Sequence, residues 1–326
     1  MDDTEIQRIE QAAVEIAMGA GAILLERFRK PLDIQYKQQN RRSPVTEADR
    51  AADAYIREQV AARFPSHAIL SEEEEDSPAD EAPAVWIIDP LDGTTNFLHG
   101  LPAFGVCIGV VEGDRLIAGA IFTPAIGLAR GEVYHARVGG GAYLGNERLT
   151  LDGDTVVPQR DRLMATMPSH FAHMFKYHPR LWMNIGDVRA IGSVAYEMAM
   201  AARGVLDYVV FSGPRIWDVA AGILIIQEAG GEVLVRQGPR PNRRWRPFER
   251  FEGHEGPPTP QALRRWHGAL ILGRNEASRF VADGLGIRRN RLRRWYWRSR
   301  RWLAQRRQPT KQALAAKSDP PPGPQT

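Results

Sequence analysis

Apolar residues recur at helical spacing at the start of the chain. They mark one face of an amphipathic helix that we predict over residues 4–29, ended by Lys30-Pro31. A second helix is predicted to begin after Thr46, because Thr46 and Asp49 have the spacing of a capping box. Its apolar pattern continues to about Arg63, and the following Phe-Pro pair ends it.

The pattern then changes to short apolar runs separated by Gly and Asp turns, which is typical of strands. Residues 85–88 form a continuous apolar run that predicts a buried strand. Successive strands at 104–111, 116–123 and 130–137 predict an antiparallel meander, and a further turn and strand begin at Gly139. We therefore expect residues 1–150 to form an N-terminal half that contains an antiparallel sheet.

Beyond a polar stretch at 150–160, predicted strands and helices alternate. The strands are predicted at 162–167, 187–191, 206–211 and 269–273, and the helices at 170–183, at 193–203, from Trp217 onward, and finally to about Leu285. This alternation favours α/β layering, so the class is α/β (α+β) with residues 151–287 as the C-terminal half. Residues 237–265 interrupt it with seven Arg and six Pro, which we interpret as an exposed insertion.

Charge is distributed unevenly along the 326 residues. Ten Arg, two Lys and one Asp give residues 288–326 a net +11, so the preceding 287 residues carry −7 of the overall +4. The single cysteine, Cys107, excludes an intrachain disulfide and a cysteine-ligated zinc site, which favours a reducing compartment. Because no secretory signal and no run of 18 apolar residues occurs, we expect a cytoplasmic protein, with peripheral attachment to a membrane left open.

The basic tail, residues 288–326, is expected to be partly disordered, and three interpretations of residues 288–311 stay open. Leu292, Trp295, Trp302 and Leu303 could form an apolar stripe on a basic helix at an anionic membrane surface. Arginines interleaved with aromatic residues could equally bind nucleic acid. The third interpretation is a solubilising extension.

The candidate chemistry lies in acidic residues that follow apolar strands. The predicted strand at 85–88 is followed by Asp89-Pro90-Leu91-Asp92-Gly93-Thr94-Thr95, in which two carboxylates lie three positions apart. Such carboxylates repel each other unless a cation lies between them, and Mg²⁺ prefers oxygen ligands of this kind. Glu72 follows another apolar run, and Asp218 begins an apolar helix. The alternatives are an exposed turn at 89–95, a solvated acidic loop around Glu72, and a helix cap for Asp218.

Two long segments resemble the signatures of the inositol monophosphatase family. They are residues 86–99, which contain the Asp-Pro-Leu-Asp-Gly-Thr-Thr segment, and residues 217–231, which begin with Trp-Asp. Residues 45–49, 71–73 and 192–195 stand where this family has counterparts. The resemblance implies a layered α-β-α-β-α sandwich, a homodimer, and a Mg²⁺-dependent phosphomonoesterase that uses water as its nucleophile.

The resemblance also implies a role for each matching residue. Glu72, Asp89 and the carbonyl of Leu91 match ligands of a first Mg²⁺; Asp89, Asp92 and Asp218 match those of a second; and Glu72 matches a residue near a weaker third ion. Thr94 and Asp49 match the pair that orients the attacking water. Gly93, Thr94 and Thr95 match a phosphate cradle, and substrate contacts are expected at Gly192, Ser193, Val194, Ala195, Phe211 and Arg215.

The substrate is less clearly indicated than the chemistry. Family members that act on inositol phosphate have a Glu seven residues before the acid that matches Asp218, whereas this chain has Phe211. Phe cannot accept a hydrogen bond from a polyol, so histidinol phosphate, another sugar phosphate or a nucleotide competes with an inositol-1-phosphate-like ester. Alternatively, Phe211 is an ordinary strand residue. A further alternative is a binding protein that keeps the fold and acts through its basic tail.

Overall fold

The computed structural model describes residues 1–31, 34–36, 44–73, 82–125, 130–151, 163–168, 175–237, 244–252 and 259–287. The three interpretations of the basic tail concern residues outside this part of the chain. The boundary predicted at 150–160 also falls mostly outside it, so the division into two halves stays a prediction.

The described helices and strands are numbered in chain order. The helices are α1 (Asp3–Arg27), α2 (Glu47–Arg63), α3 (Thr94–Leu98), α4 (Pro179–Met183), α5 (Val194–Ala202), α6 (Ile216–Glu228), α7 (Pro260–Arg264) and α8 (Asn275–Gly284). The strands are β1 (Ile34–Tyr36), β2 (Pro44–Thr46), β3 (Ala68–Ser71), β4 (Val85–Asp92), β5 (Gly105–Glu112), β6 (Arg115–Pro124), β7 (Gly131–Arg137), β8 (Gly141–Leu144), β9 (Glu147–Leu149), β10 (Met164–Thr166), β11 (Phe175–Tyr177), β12 (Asp187–Arg189), β13 (Tyr208–Phe211), β14 (Glu232–Arg236), β15 (Arg246–Pro247), β16 (Ala269–Gly273) and β17 (Leu285–Ile287).

The first two helices follow the sequence pattern closely. The side chain of Asp2 caps α1 by accepting a hydrogen bond from the N–H of Glu5. The capping box of α2 is confirmed: Thr46 accepts from the N–H of Asp49, and the N–H of Thr46 donates to Oδ2 of Asp49 at 2.8 Å. The apolar faces of both helices pack in one hydrophobic cluster with the first sheet.

The first sheet has seven strands in the order β3-β4-β5-β6-β7-β8-β9. Strands β3 and β4 are parallel, and each later pair is antiparallel, which confirms the predicted meander. Strand β4 continues beyond the predicted apolar run, and its register with β5 shifts between Asp89 and Asp92.

The second sheet has six strands in the order β12-β10-β13-β16-β14-β15. Strand β10 is parallel to β12 and β13, and the remaining pairs are antiparallel. Hydrophobic clusters place α1 and α2 outside the first sheet, α5 and α6 between the sheets, and α4 and α8 outside the second. The predicted layered α-β-α-β-α sandwich of the α/β (α+β) class is confirmed.

Helix α6 packs closely against the first sheet at two strand glycines. A Cβ on Gly109 would lie 2.5 Å from the Cβ of Ala220, and one on Gly119 would lie 2.8 Å from the Cα of Ala221. Glycine at these two strand positions therefore permits the close approach that fixes the depth of α6. Because Asp218 lies in the first turn of α6, this packing also positions that residue.

One sequence prediction in the second half needs correction. The helix predicted over 170–183 is wrong at 175–177, because this segment forms β11 and pairs antiparallel with β17. The helix α4 begins only at Pro179. Proline is favourable there because an N–H at the first helical position would make no intrahelical hydrogen bond. The last helix ends at Gly284, which confirms the predicted end at about Leu285, and the buried Leu285 begins β17.

The interpretation of residues 237–265 as an exposed insertion needs correction at a few buried side chains, although Arg244, Glu249 and Arg265 are exposed. Strand β15 adds to the edge of the second sheet beside β14. Phe248, Phe251 and Leu263 are buried in the core between the sheets together with Trp266. These spaced apolar side chains dock the segment despite its Arg and Pro content.

No described helix combines the length and the apolar character that crossing a bilayer would require.

Candidate metal centre

The end of strand β4 delivers two acidic residues to one place. Asp89 is only 2% exposed, and its Oδ1 accepts a hydrogen bond from the N–H of Leu91 at 3.0 Å. The register shift against β5 lies between Asp89 and Asp92, so the backbone changes course within this acidic segment. A bulge at a strand end commonly redirects side chains in this way.

Two further carboxylates join Asp89 from other elements. One carboxylate oxygen from each of Glu72, Asp89 and Asp218 lies within 4.8 Å of the other two, and we call these three residues the acidic cluster. Glu72 follows β3, and parallel strands β3 and β4 bring their carboxyl ends to the same edge of the sheet. Asp218 arrives from the first turn of α6.

Asp218 is both a capping residue and a member of the acidic cluster. Its Oδ2 accepts a hydrogen bond from the N–H of Arg215 at 2.8 Å, which stabilises the start of α6. The two interpretations of Asp218 from the sequence are therefore compatible. The cap contact engages one carboxylate oxygen and fixes the orientation of the side chain.

Asp92 connects the acidic cluster to helix α5. Its Oδ2 accepts a hydrogen bond from the hydroxyl of Ser193 and another from the N–H of Ala195 at 2.8 Å. Ser193 is also the N-cap of α5, since its hydroxyl accepts from the N–H of Tyr196. The segment containing Gly192, Ser193, Val194 and Ala195 thus lies beside the acidic residues, as the resemblance implies.

Burial and mutual repulsion raise the pKa values of these carboxyl groups. Burial raises the pKa of Asp89 well above its usual range, and the charges of Glu72, Asp92 and Asp218 raise it further. The pKa of Asp218 is also raised well above its usual range, first by burial and then by Asp92. Burial raises the pKa of Asp92 to about 7, although its hydrogen bonds from Ser193 and Ala195 oppose the shift.

These pKa shifts indicate that the site suits a cation. Gathered, desolvated carboxylates are unfavourable when ionised without compensating positive charge. All the candidate ligands are oxygens, and hard divalent cations such as Mg²⁺ prefer oxygen ligands. The acidic cluster therefore has the chemistry of a site that could hold a metal ion.

Thr94 and Asp49 lie together, as expected for a pair that orients water. The hydroxyl of Thr94 is 3.4 Å from Oδ1 of Asp49 and 3.1 Å from the carbonyl oxygen of Leu91. Asp49 is buried, and its Oδ2 is held by the backbone N–H and the hydroxyl of Thr46. Burial raises the pKa of Asp49, whereas the hydrogen bonds from Thr46 oppose this shift.

Gly93 allows the acidic segment to turn into helix α3. Its φ of 85° lies in the left-handed region, and it is the N-cap of α3. A Cβ at this position would lie 2.9 Å from the Cβ of Ser193 and 3.0 Å from the carbonyl oxygen of Ala103. Gly93, Thr94 and Thr95 therefore lie at the start of α3 beside Asp92, and their role as a phosphate cradle stays a prediction.

The sequence reasoning missed two residues that hold the segment before α5. The buried carboxylate of Glu197 accepts hydrogen bonds from the N–H groups of Ile191 and Gly192 at 3.2 and 3.0 Å. The amide of Asn96 donates to the carbonyl of Ile191 at 2.9 Å. The position of Asn96 within the first signature was a sequence signal for a role at the site. Glu197 gave no such signal, because a single Glu on a helix is usually solvated.

The two expected specificity residues have different environments. Phe211 is 5% exposed at the end of β13, and it belongs to the core cluster between the sheets. Arg215 is exposed just before α6. The structure thus places Phe211 mainly as a core residue, in agreement with the alternative interpretation, and its contact with substrate stays a prediction.

The layered α-β-α-β-α sandwich thus carries, at one edge of its first sheet, an acidic cluster that could hold a metal ion. Residues 5–271 match the model of the inositol monophosphatase family, and the chain therefore belongs to that family. It is accordingly a phosphomonoesterase.

Individual relatives agree with this assignment. The chain is similar to the inositol-1-monophosphatase of Mesorhizobium japonicum, with 34% identity over 234 residues that cover 69% of this chain and 84% of that protein. It is also 34% identical, over 229 residues, to the Nus factor SuhB of Salmonella typhimurium, with coverages of 68% and 82%. Among solved structures, the extragenic suppressor protein suhB from Bartonella henselae has a TM-score of 0.67 and 26% identity, covering 85% of this chain and 97% of that chain.

Proposed function

We propose that this protein is a Mg²⁺-dependent phosphomonoesterase that hydrolyses a small, inositol-1-phosphate-like ester with water as the nucleophile. The observation that supports the proposal most strongly is the acidic cluster, in which one carboxylate oxygen from each residue lies within 4.8 Å of the others. Asp49 and Thr94, whose side chains lie 3.4 Å apart, would orient the attacking water. No covalent enzyme intermediate is needed.

The residues present can supply the ligands for two to three ions. Glu72, Asp89 and the carbonyl of Leu91 would hold the first, and Asp89, Asp92 and Asp218 the second, with Glu72 near a weaker third. The carbonyl oxygen of Leu91 accepts a hydrogen bond from Thr94, and a carbonyl keeps a second lone pair for a cation. When bound, Mg²⁺ lowers the pKa of water and neutralises charge on the phosphate.

Thr94 and Asp49 would accept the proton that the attacking water releases. Thr94 has one hydroxyl proton, which it can direct either to the carbonyl of Leu91 or to Oδ1 of Asp49. When the proton points to Asp49, the lone pairs of Thr94 Oγ1 are free to accept a hydrogen bond from water. A proton can then pass from water through the Thr94 hydroxyl to Oδ1 of Asp49, whose raised pKa favours acceptance.

The remaining predicted contacts would bind and orient the ester. Backbone N–H groups of Gly93, Thr94 and Thr95 would face the phosphate, because the start of a helix favours anions. The segment 192–195, Phe211 and Arg215 would contact the alcohol part. Since Phe211 cannot accept a hydrogen bond, histidinol phosphate, other sugar phosphates and nucleotides belong on the substrate panel.

A second candidate function concerns polyanion binding by residues 288–311. The net +11 of the tail favours it, as does the similarity to a relative named as a Nus factor. Nucleic acid is one candidate partner and an anionic membrane surface is the other. A purely non-catalytic binding protein is disfavoured, because the chain retains all four candidate carboxylate ligands. The proposal also includes that the protein forms a homodimer and is located in the cytoplasm.

The experiment that tests the proposed function is a phosphate-release screen over small esters with Mg²⁺. The panel contains inositol 1-phosphate, histidinol phosphate, sugar phosphates and nucleotides with a 3′-phosphate. We expect turnover of at least one ester by the wild-type protein and none by the Asp89→Asn variant. Equal phosphate release by both proteins would contradict the proposal.

A further inference from the structure

Arg264 contacts the residues that directly precede two members of the acidic cluster. Its Nη2 donates a hydrogen bond to the carbonyl oxygen of Ser71, the residue before Glu72. Its guanidinium carbon also lies 5.1 Å from the ring centroid of Trp217, the residue before Asp218. One side chain thus connects the end of β3 with the start of α6.

We propose that Arg264 is a positioning residue that fixes the separation of Glu72 and Asp218 and thereby raises the affinity of the acidic cluster for divalent cations. It acts through Ser71 and Trp217. This inference rests on the proposed metal-dependent function.

Ser71 is held from two sides. It is completely buried, and its hydroxyl donates to Oδ1 of Asp53 on α2. Oδ2 of Asp53 accepts from Nε of Arg57 at 2.8 Å, so the α2 side of the contact is itself fixed. Arg264 holds the carbonyl on the other side. The side-chain hydroxyl of Ser71 and its backbone carbonyl, directly before Glu72, are therefore bound by α2 and by α7, respectively.

The contact with Trp217 suits arginine in particular. Trp217 is 7% exposed, and a planar guanidinium can stack on its face while donating sideways to a carbonyl. A lysine ammonium could donate to Ser71 but has no planar group to stack. The geometry therefore predicts a graded response, in which lysine replaces one of the two contacts.

Arg264 projects from a well-anchored helix. Thr259 caps α7 by accepting from the N–H of Ala262, and Pro260 occupies the first turn. Leu263 is completely buried and Trp266 is 4% exposed, so residues on both sides of Arg264 are fixed in the core. Helix α7 packs against β3. A short helix anchored in this way can hold a guanidinium in one place.

The segment containing α7 thus has a function beyond packing. Arg264 adds a direct side-chain link between the end of β3 and the start of α6. Residues that orient metal ligands without touching the metal typically change metal affinity by roughly 10–100-fold when they are replaced. We expect an effect of this size for Arg264.

The test compares Arg264→Ala with Arg265→Ala in the full-length chain. Arg265 is the neighbouring exposed residue, so its replacement removes the same charge from the same helix end. Affinity is measured with Mn²⁺, followed by the EPR signal of the free ion, and thermal unfolding is recorded without metal. We expect roughly tenfold or greater weakening for Arg264→Ala, less than about twofold for Arg265→Ala, and an intermediate value for Arg264→Lys.

Equal Mn²⁺ affinity in the two alanine variants would overturn the proposal. So would weakening that disappears when the variants are compared at equal fractions folded, because the effect would then be general destabilisation. Phosphate release is scored separately. A wild-type protein that binds Mn²⁺ but releases no phosphate from any ester contradicts the proposed function, while the metal titration still decides the role of Arg264.

Discussion

The hydroxyl of Ser193 donates a hydrogen bond to Oδ2 of Asp92, although 101 positions separate the two residues. The N-cap of a helix between the sheets thereby orients an acidic residue at the end of a strand in the first sheet. Asp92 also accepts from Ala195, so the start of α5 and the acidic segment form one unit. Changes at Ser193 should therefore affect chemistry as well as helix stability.

We predict that Ser193→Ala lowers kcat and raises the Mg²⁺ concentration needed for half-maximal activity, each by roughly tenfold. Asp92 would lose the hydroxyl hydrogen bond that opposes the rise of its pKa, so protons would compete better with the cation. Kinetic titration with Mg²⁺ measures both quantities. Ser66→Ala is the control, since Ser66 is exposed. If the two variants behave alike, the Ser193–Asp92 contact has no functional role.

Asp218→Asn and Asp92→Asn should each lower turnover by about 100-fold or more while the protein stays folded. Each substitution removes a negative charge from the proposed second cation site. Because repulsion with the remaining carboxylates is relieved, the metal-free variants should unfold at the same or a higher temperature than the wild type. Steady-state kinetics and circular dichroism on the same samples provide the measurement. Near-normal turnover in either variant would remove that residue from the site.

The stability of the metal-free protein should fall as the pH rises between about 4 and 7. Burial raises the pKa of Asp92 from 3.8 to about 7, so in this window the folded protein keeps a proton that the unfolded chain releases. A folded state that binds more protons loses stability with increasing pH. Urea unfolding in the presence of a chelator, at pH 5 and pH 7.5, measures the change. Asp92→Asn should show a smaller loss, and an equal loss in both proteins would contradict the assignment to Asp92.

Deletion of residues 288–326 should leave hydrolysis of small esters intact and abolish binding to polyanions. Both signatures and the described helices and strands precede residue 288, and the deleted segment holds the net +11. Pull-downs with anionic vesicles and with RNA, at low and high salt, distinguish the two candidate partners, and both interactions should weaken with salt. Equal polyanion binding by the truncated protein would contradict this prediction.

Local sequence signals were sufficient for much of the fold. The capping box of Thr46 and Asp49 and the apolar run into Asp89 depend on neighbouring residues, and both are confirmed. The pairing of β11 with β17 joins segments about 110 positions apart, and neither three-residue strand has a strong pattern of its own. A helix was therefore predicted where β11 forms.

The remaining differences arise where composition masks a few important side chains. Phe248, Phe251 and Trp266 are buried but are spaced among Arg and Pro residues. The overall composition of this segment therefore predicted an exposed insertion, whereas the segment packs against the core. Glu197 is buried and accepts hydrogen bonds from the N–H groups of Ile191 and Gly192, contacts that depend on tertiary structure. Residues that act as supports for the site were thus harder to predict than the candidate ligands.

The central claim is that the acidic cluster makes phosphate release dependent on Mg²⁺. The most direct measurement is phosphate release from a responsive ester by wild-type protein, first after chelation and then after adding Mg²⁺ back. We predict loss of activity with chelator and recovery with Mg²⁺. We also predict inhibition by Ca²⁺, which is larger than Mg²⁺ and tolerates less regular coordination, and by Li⁺ from the family resemblance. Full activity in excess chelator would contradict the account.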